Sequence, residues 1–241
     1  MPYFFYGFDW TYLVFILPFV FLSLWASSAV NRTFKKYSSQ ISARRITGAQ
    51  AAQRVLQANG VTGVRIQRVS GNLTDHYDPK TNVIRLSDSV YDSPSTAAIG
   101  VACHEAGHAV QYAQSYGPIK LRAAIIPITN IGSHLAMPLI LLGVLFSAFG
   151  EFSYIIVDLG IACFSLSLIF QLITLPVEFN ASRRAMSTIE EAGILTREEQ
   201  QGARKTLTAA AMTYVVATIA ALAQLVRLIL LFGGNGRRRR D

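Results

Sequence analysis

Charge is scarce in this chain, and acidic charge is scarcest. Only 15% of its 241 residues are Asp, Glu, Lys or Arg, with 14 acids against 22 bases, where a typical soluble domain is about 25% charged. Hydrophobic residues make up 51%, which excludes an ordinary water-soluble globular domain. Cysteine is nearly absent: Cys103 and Cys163 form no CxxC pair, so neither a disulfide framework nor a thiolate zinc site is expected. No GxxxxGK[ST] phosphate loop occurs, so no nucleotide is expected as a partner. No Lys or Arg precedes Arg32. The first apolar run therefore lacks the basic start of a cleaved signal peptide and reads as a retained anchor.

Long apolar runs are what the chain has in excess. They cover residues 12–30, 123–149, 152–177 and 207–232, and each approaches or exceeds the ~20 residues that carry a helix across a ~30 Å hydrocarbon layer. The formal net charge of +8 would point to nucleic acid in a soluble protein. Here the bases gather at the ends of the apolar runs, where anionic lipid and topology account for them. No basic-aromatic motif accompanies them, so the expected partner is the lipid bilayer and not nucleic acid.

Those bases also orient the chain. Arg32, Lys35, Lys36, Arg44 and Arg45 follow the first run, Lys120 and Arg122 precede the second, and Arg183, Arg184, Arg204 and Lys205 separate the third from the fourth. The turn at Gly150-Glu151 has none. By the positive-inside rule, the N-terminal tail and that turn face outward and the basic segments face the cytoplasm. The expected organisation is an N-terminal transmembrane anchor (1–30), a cytoplasmic α+β part (31–122), a transmembrane hairpin (123–177), a second cytoplasmic segment (178–206), and a fourth apolar helix with a basic tail (207–241). One feature disagrees. Four spans put the C-terminus outside, yet it ends in Arg237-Arg238-Arg239-Arg240. The last run contains Gln224 and Arg227, so it is read either as a span or as a re-entrant or interfacial helix.

Within 31–122 the pattern predicts a short amphipathic helix over 47–59, stopped by Gly60. Alternating apolar and polar residues predict strands over 64–69 and 82–86, the second following the turn signal Asp78-Pro79-Lys80-Thr81. Ser93-Pro94-Ser95 is read as an N-cap with proline in the first turn of a further helix. That helix carries His104-Glu105-Ala106-Gly107-His108. Residues i and i+4 lie on one face of a helix, so the two imidazoles can aim at one point. Such a pair suits a zinc ion (Zn2+), and Glu105 beside it can take a proton from an attacking water.

Catalytic zinc takes three protein ligands and keeps an open position. Glu178, just beyond Leu175-Pro176-Val177 at the end of the third run, is the best candidate for the third. Asp158 competes, but lies 20 residues earlier, about 30 Å along a helix. Glu190 and Glu191 read as solvated, and His76 as a turn residue that could border the cleft. His134, inside the second run, reads as a residue satisfied by an interhelical hydrogen bond, although an ionisable group there is a functional suspect.

Three tracts carry a resemblance: Leu73 to Pro79, Val101 to Gln111, and Leu175 to Ala185. In this order they resemble the YugP-type neutral zinc metallopeptidases of bacterial membranes, over most of the chain. The resemblance implies a membrane-embedded zinc peptidase with His104 and His108 as ligands and Glu105 as the catalytic acid. Similarity to the related HtpX-type gluzincins implies Glu178 as third ligand. The chain departs from those relatives at Ser182, where they carry a carboxylate four residues after the ligand glutamate; serine brings a hydroxyl but no charge to a neighbouring histidine.

The fold expected is thus predominantly α, a polytopic membrane protein with about four transmembrane helices and a small α+β cytoplasmic zincin-like part. The function expected is zinc-dependent endopeptidase cleavage of peptide or protein substrates at the cytoplasmic face of the cell membrane. The strand over 82–86 is expected to receive the substrate by β-addition. Two alternatives stay open: a non-catalytic membrane scaffold with structural zinc, and a site-two-type intramembrane protease using Asp158.

Overall fold

The four apolar runs become four long helices, and the polar stretch after the first becomes a small sheet with its own helices. A computed structural model describes residues 10–233, apart from the side chain of Phe149. The first nine residues and the tetra-arginine tail, on which part of the orientation argument rests, lie outside the described residues. The order is α1 (Thr11–Phe15), α2 (Leu17–Ser38), α3 (Gly48–Ala58), β1 (Arg65–Val69), β2 (His76–Asp78), β3 (Val83–Ser87), α4 (Asp88–Tyr91), α5 (Thr96–Ala113), α6 (Gly117–Leu145), α7 (Glu151–Glu191) and α8 (Arg197–Phe232).

The chain forms two compact units. The first comprises the described residues up to Trp25, Leu121–Thr174 and those from Tyr214 on. Its large apolar side chains point outward: Leu145 is 74% exposed, Ile155 65% and Leu230 65%. In water such a surface would be costly; it suits contact with hydrocarbon. Four helices, Thr11–Ser38 and the three that follow as α6, α7 and α8, are long and apolar enough to cross a membrane. α6 and α7 run antiparallel through a single 3-10 turn at Ser147–Phe149, with Gly132 opposite Leu166 and Gly143 opposite Val157. Small residues let the two backbones approach. A Cβ at Gly160 would come within 3.0 Å of the Ala136 carbonyl oxygen, the close packing by which helices associate without a hydrophobic driving force. Arg227, the charge inside the fourth run, is buried. Its Nε donates to Thr11 Oγ1 at 2.9 Å and its guanidinium lies 4.0 Å from the Tyr12 ring centroid.

The second unit comprises Ala26–Lys120 and Leu175–Thr213. Its helix starts follow from local chemistry. Thr47 caps α3 through a reciprocal capping box with Gln50, and Gly60, at φ +65°, ends the segment as expected. At α5 the expectation shifts by two residues: the N-cap is Ser95, whose Oγ accepts from Ala98 N at 3.3 Å. Pro94 therefore sits before the helix, not in its first turn, because Ser95 and not Ser93 supplies the capping oxygen.

The sheet order is β1-β3-β2, with β1 parallel and β2 antiparallel to β3. Both strands expected from alternation are present, β1 and β3. The expectation that residues 82–86 offer an edge to substrate is overturned, because β3 is the central strand and has a partner on each side. That position also explains its burial on nearly every residue, where alternation alone implies one wet face. The competing edge is β2, three residues long and immediately before Pro79, too short for a periodicity to register. Val55, Leu56, Ile84, Leu86, Ile99, Val110 and Ile189 form the fully buried centre of this unit.

Candidate metal centre

α5 is built to be approached. Half of its buried residues are Ala or Gly, among them Ala98, Ala102, Ala106, Gly107 and Ala109. Small side chains bring a neighbouring backbone close, and α7 uses that space. A Cβ added to Gly107 would stand 2.7 Å from the carbonyl oxygen of Ala181, nearer than atoms pack. α7 continues unbroken past Pro176 to Glu191, so Glu178 and Ser182 lie one turn apart on the stretch that faces α5.

The donors converge as a result. Glu178 Oε2 is 3.3 Å from His104 Nε2 and 3.6 Å from His108 Nε2. The imidazole centroids are 4.7 Å apart with their planes at 82°. One ligand atom from each of the three residues falls within 4.8 Å of the others. Two donors each ~2.1 Å from a tetrahedral ion are about 3.4 Å apart, close to the spacing the Glu178 oxygen already has from each imidazole nitrogen. Two imidazole nitrogens and one carboxylate oxygen are also the donor chemistry of a catalytic zinc site. These residues therefore fit the ion. Among the described residues the cluster has three such groups and no fourth.

Each imidazole is held from behind. His104 Nδ1 is 3.1 Å from Ser182 Oγ, and His108 Nδ1 is 3.0 Å from Gln111 Oε1. With Nδ1 engaged in both rings, the Nε2 atoms are the ones presented to Glu178. Gln111 is fully buried and its Nε2 donates to the Val177 carbonyl at 2.8 Å and to Asn180 Oδ1 at 3.0 Å. Asn180 Oδ1 also accepts from Arg184 Nε at 2.7 Å. The departure at position 182 thus leaves a hydrogen-bond partner behind His104, without the charge.

Electrostatics tie the neighbourhood together. Burial pulls the His108 pKa down, but the facing Glu178 carboxylate and the Glu105 charge outweigh it, leaving the imidazole above its ordinary value. Glu105 is itself buried. Burial pushes the Asp75 carboxyl up, hydrogen bonds from Ser87 oppose this, and the Glu105 charge adds to the rise. Glu105 therefore lies in electrostatic reach of both His108 and Asp75. Asp75 accepts from Ser87 N at 2.7 Å and from Ser87 Oγ, which fixes the entry to β2 against the end of β3. Beyond it, the Tyr77 ring packs 5.7 Å from Tyr112, and Tyr112 is four residues past His108, on the same helix face.

The competing residues do not join the cluster. Asp158, Glu190 and Glu191 are absent from it. His76 is exposed and its Nδ1 donates to the Thr74 carbonyl at 2.9 Å, but it opens strand β2 and does not stand in a turn. His134 is satisfied within its own helix, donating to the Asn130 carbonyl at 2.7 Å, not across to another helix. Cys103 is buried, as small filler should be, burial raises its thiol pKa, and it is absent from the cluster. Gln111 and Asn180 escape a reading of the sequence, although Gln111 sits three residues past His108, a spacing that brings side chains together on a helix.

The family described as "Putative neutral zinc metallopeptidase" matches residues 12–233. The chain is also 45% identical over 216 residues to "Putative membrane protease YugP" of Bacillus subtilis (strain 168), which covers 90% of this chain and 93% of that relative. No solved structure matches the chain.

Proposed function

Because the chain belongs to this neutral zinc metallopeptidase family, we propose that it is a multi-pass membrane zinc endopeptidase that cleaves peptide or protein substrates at the cytoplasmic face of the cell membrane. The observation that carries this reading is the convergence of His104 Nε2, His108 Nε2 and a Glu178 carboxylate oxygen within 4.8 Å. In this reading those three side chains hold the ion and Glu105 is the catalytic residue. A bound zinc supplies a Lewis acid that polarises a peptide carbonyl and acidifies water. Glu105 accepts the proton of the attacking water and delivers it to the nitrogen of the departing amine. Burial around Glu105 limits competing solvent at that transfer. A three-donor set leaves room for water, which favours catalysis over a closed structural site, where a fourth protein donor is needed.

Substrate recognition passes from β3 to β2 in this proposal. β2 pairs with β3 on one side only, and its Tyr77 rests on Tyr112 of the helix that bears both histidines. An extended peptide added to the outer edge of β2 would run alongside the metal face of α5, with main-chain hydrogen bonds giving sequence-tolerant binding. Membrane location is supported by the outward apolar side chains of the first unit. The cytoplasmic orientation is supported by the bases that flank the helices.

Zinc quantification and peptide cleavage by detergent-purified protein test the proposal. Wild type and Asp158→Ala are expected to hold one zinc and to cleave, and Glu178→Ala to lose both. Zinc retained by Glu178→Ala and lost by Asp158→Ala would replace this reading with the site-two-type intramembrane one. Stoichiometric zinc without any turnover would favour the scaffold.

A further inference from the structure

The structure assigns to Gln111 the positioning of His108, a role that rests on the zinc reading above. Two groups around Gln111 and Asn180 have a hydrogen-bonding sense that is beyond choice. A backbone carbonyl only accepts, and an arginine Nε–H only donates. The Val177 carbonyl, 2.8 Å from Gln111, therefore faces the amide nitrogen of Gln111. Arg184 Nε, 2.7 Å from Asn180, faces the amide oxygen of Asn180, and that same oxygen takes the second Gln111 proton at 3.0 Å. With both amide protons committed, the atom that Gln111 turns to His108 is its oxygen, 3.0 Å from Nδ1. Glu178 Oε2 also only accepts, but at 3.6 Å from His108 Nε2 it stands beyond hydrogen-bond distance, so the single proton of the neutral His108 ring belongs on Nδ1, where the 3.0 Å bond is.

His104 is placed differently. Its Nε2 is 3.3 Å from Glu178 Oε2, an acceptor within hydrogen-bond distance, while the Ser182 hydroxyl behind Nδ1 can donate or accept and so fits either tautomer. The two histidines therefore differ: His108 has its Nδ1–H form before metal arrives, while His104 gives up an Nε2 proton when the ion binds. Gln111 also bonds the carbonyl of Val177, the residue next to Glu178. One fully buried side chain thus fixes the tautomer of one donor and the helix register of another. Histidine partners of this kind are commonly carboxylates, and their loss lowers metal affinity about 10–100-fold.

The test uses the full chain in detergent, with zinc affinity read by chelator competition and the imidazole tautomers read by 15N NMR of zinc-free protein at alkaline pH. Four histidines in the whole sequence make assignment tractable by substitution. In wild type the His108 signals are expected to report Nδ1–H. Gln111→Leu should give a mixture of tautomers and weaken zinc binding about 10–100-fold. Gln111→Glu keeps an acceptor at the same place and should restore the Nδ1–H form and most of the zinc affinity, even though it loses the bond to Val177. The inference is overturned by an Nε2–H ring in wild type, by unchanged tautomer and affinity in Gln111→Leu, or by a Gln111→Glu protein as impaired as Gln111→Leu. The wild-type spectrum decides even where a variant fails to fold. If wild type binds no zinc, the peptidase reading fails while the tautomer measurement still stands.

Discussion

Gly107 of α5 lies directly against Ala181 of α7, with room for a hydrogen and none for a methyl: a Cβ would meet the Ala181 carbonyl oxygen at 2.7 Å. The glycine between the two histidines is therefore what lets α7 bring Glu178 to them. Gly107→Ala is expected to push the helices apart, destabilising the fold by about 1–3 kcal/mol and weakening zinc binding about tenfold or more. Thermal unfolding and chelator competition on the same protein check this. A variant with wild-type zinc affinity would show that α7 is held in place by something other than this contact.

Glu105 touches the chemistry without holding the ion in this proposal, so its substitution should separate the two. Glu105→Gln keeps the shape and removes the base, and is expected to lower turnover by at least about 10²–10³-fold while zinc content remains one per chain. Cleavage assays paired with metal analysis decide it. Loss of zinc along with activity would instead make Glu105 part of the metal shell.

Much of this was legible in the residues, for physical reasons. The long apolar runs announce long helices because their length matches nothing else. The histidine pair announces itself because helical spacing converts sequence separation into a shared face. Glu178 could be chosen over Asp158 because 20 residues of helix is too long a distance for both to reach one point. What could not be read depends on contacts between residues far apart in sequence. Gln111 finds Val177 and Asn180 across 66 and 69 positions, and no periodicity encodes which buried amide will meet which carbonyl. β2 is three residues long and exists because Asp75 ties its start to Ser87 of β3. Without β2 in view, β3 looks like an edge strand; with it, β3 is central and the substrate edge moves.

The zinc-free protein should show a distinctive response to pH. His108 has its pKa raised above the ordinary 6.5 in the fold, because its protonated ring pairs with Glu178 3.6 Å away. A raised histidine pKa contributes stability that is fully present below about pH 6.5 and is lost as pH rises through the folded value. The metal takes the neutral ring, so binding releases a proton and apparent zinc affinity climbs through the same window. Chelated protein is therefore expected to melt at lower temperature as pH rises from about 6 upward, and the stabilisation added by zinc to grow over the same range. Melting temperatures with and without chelator give both curves. A chelated protein that gains stability across that window would contradict the pairing of His108 with Glu178.

Substrate pairing on β2 makes a prediction with a period of two. Along a strand, alternate residues direct their N–H groups to the same neighbour, so only every second amide of an added peptide bonds to the β2 edge. Replacing one such N–H by N-methyl removes a hydrogen bond worth about 1 kcal/mol and adds bulk at the pairing edge. A series of cleavable peptides, each N-methylated at one position on one side of the scissile bond, should therefore alternate: a loss of about fivefold or more in kcat/KM at one position, little change at the next, and a loss again at the third. The neighbouring Tyr112, four residues past His108, should matter differently. It offers a ring and not a backbone partner, so Tyr112→Ala is expected to raise KM more than it lowers kcat. A methylation series with no alternation, or a uniform decline with distance from the cleaved bond, would place the peptide away from β2.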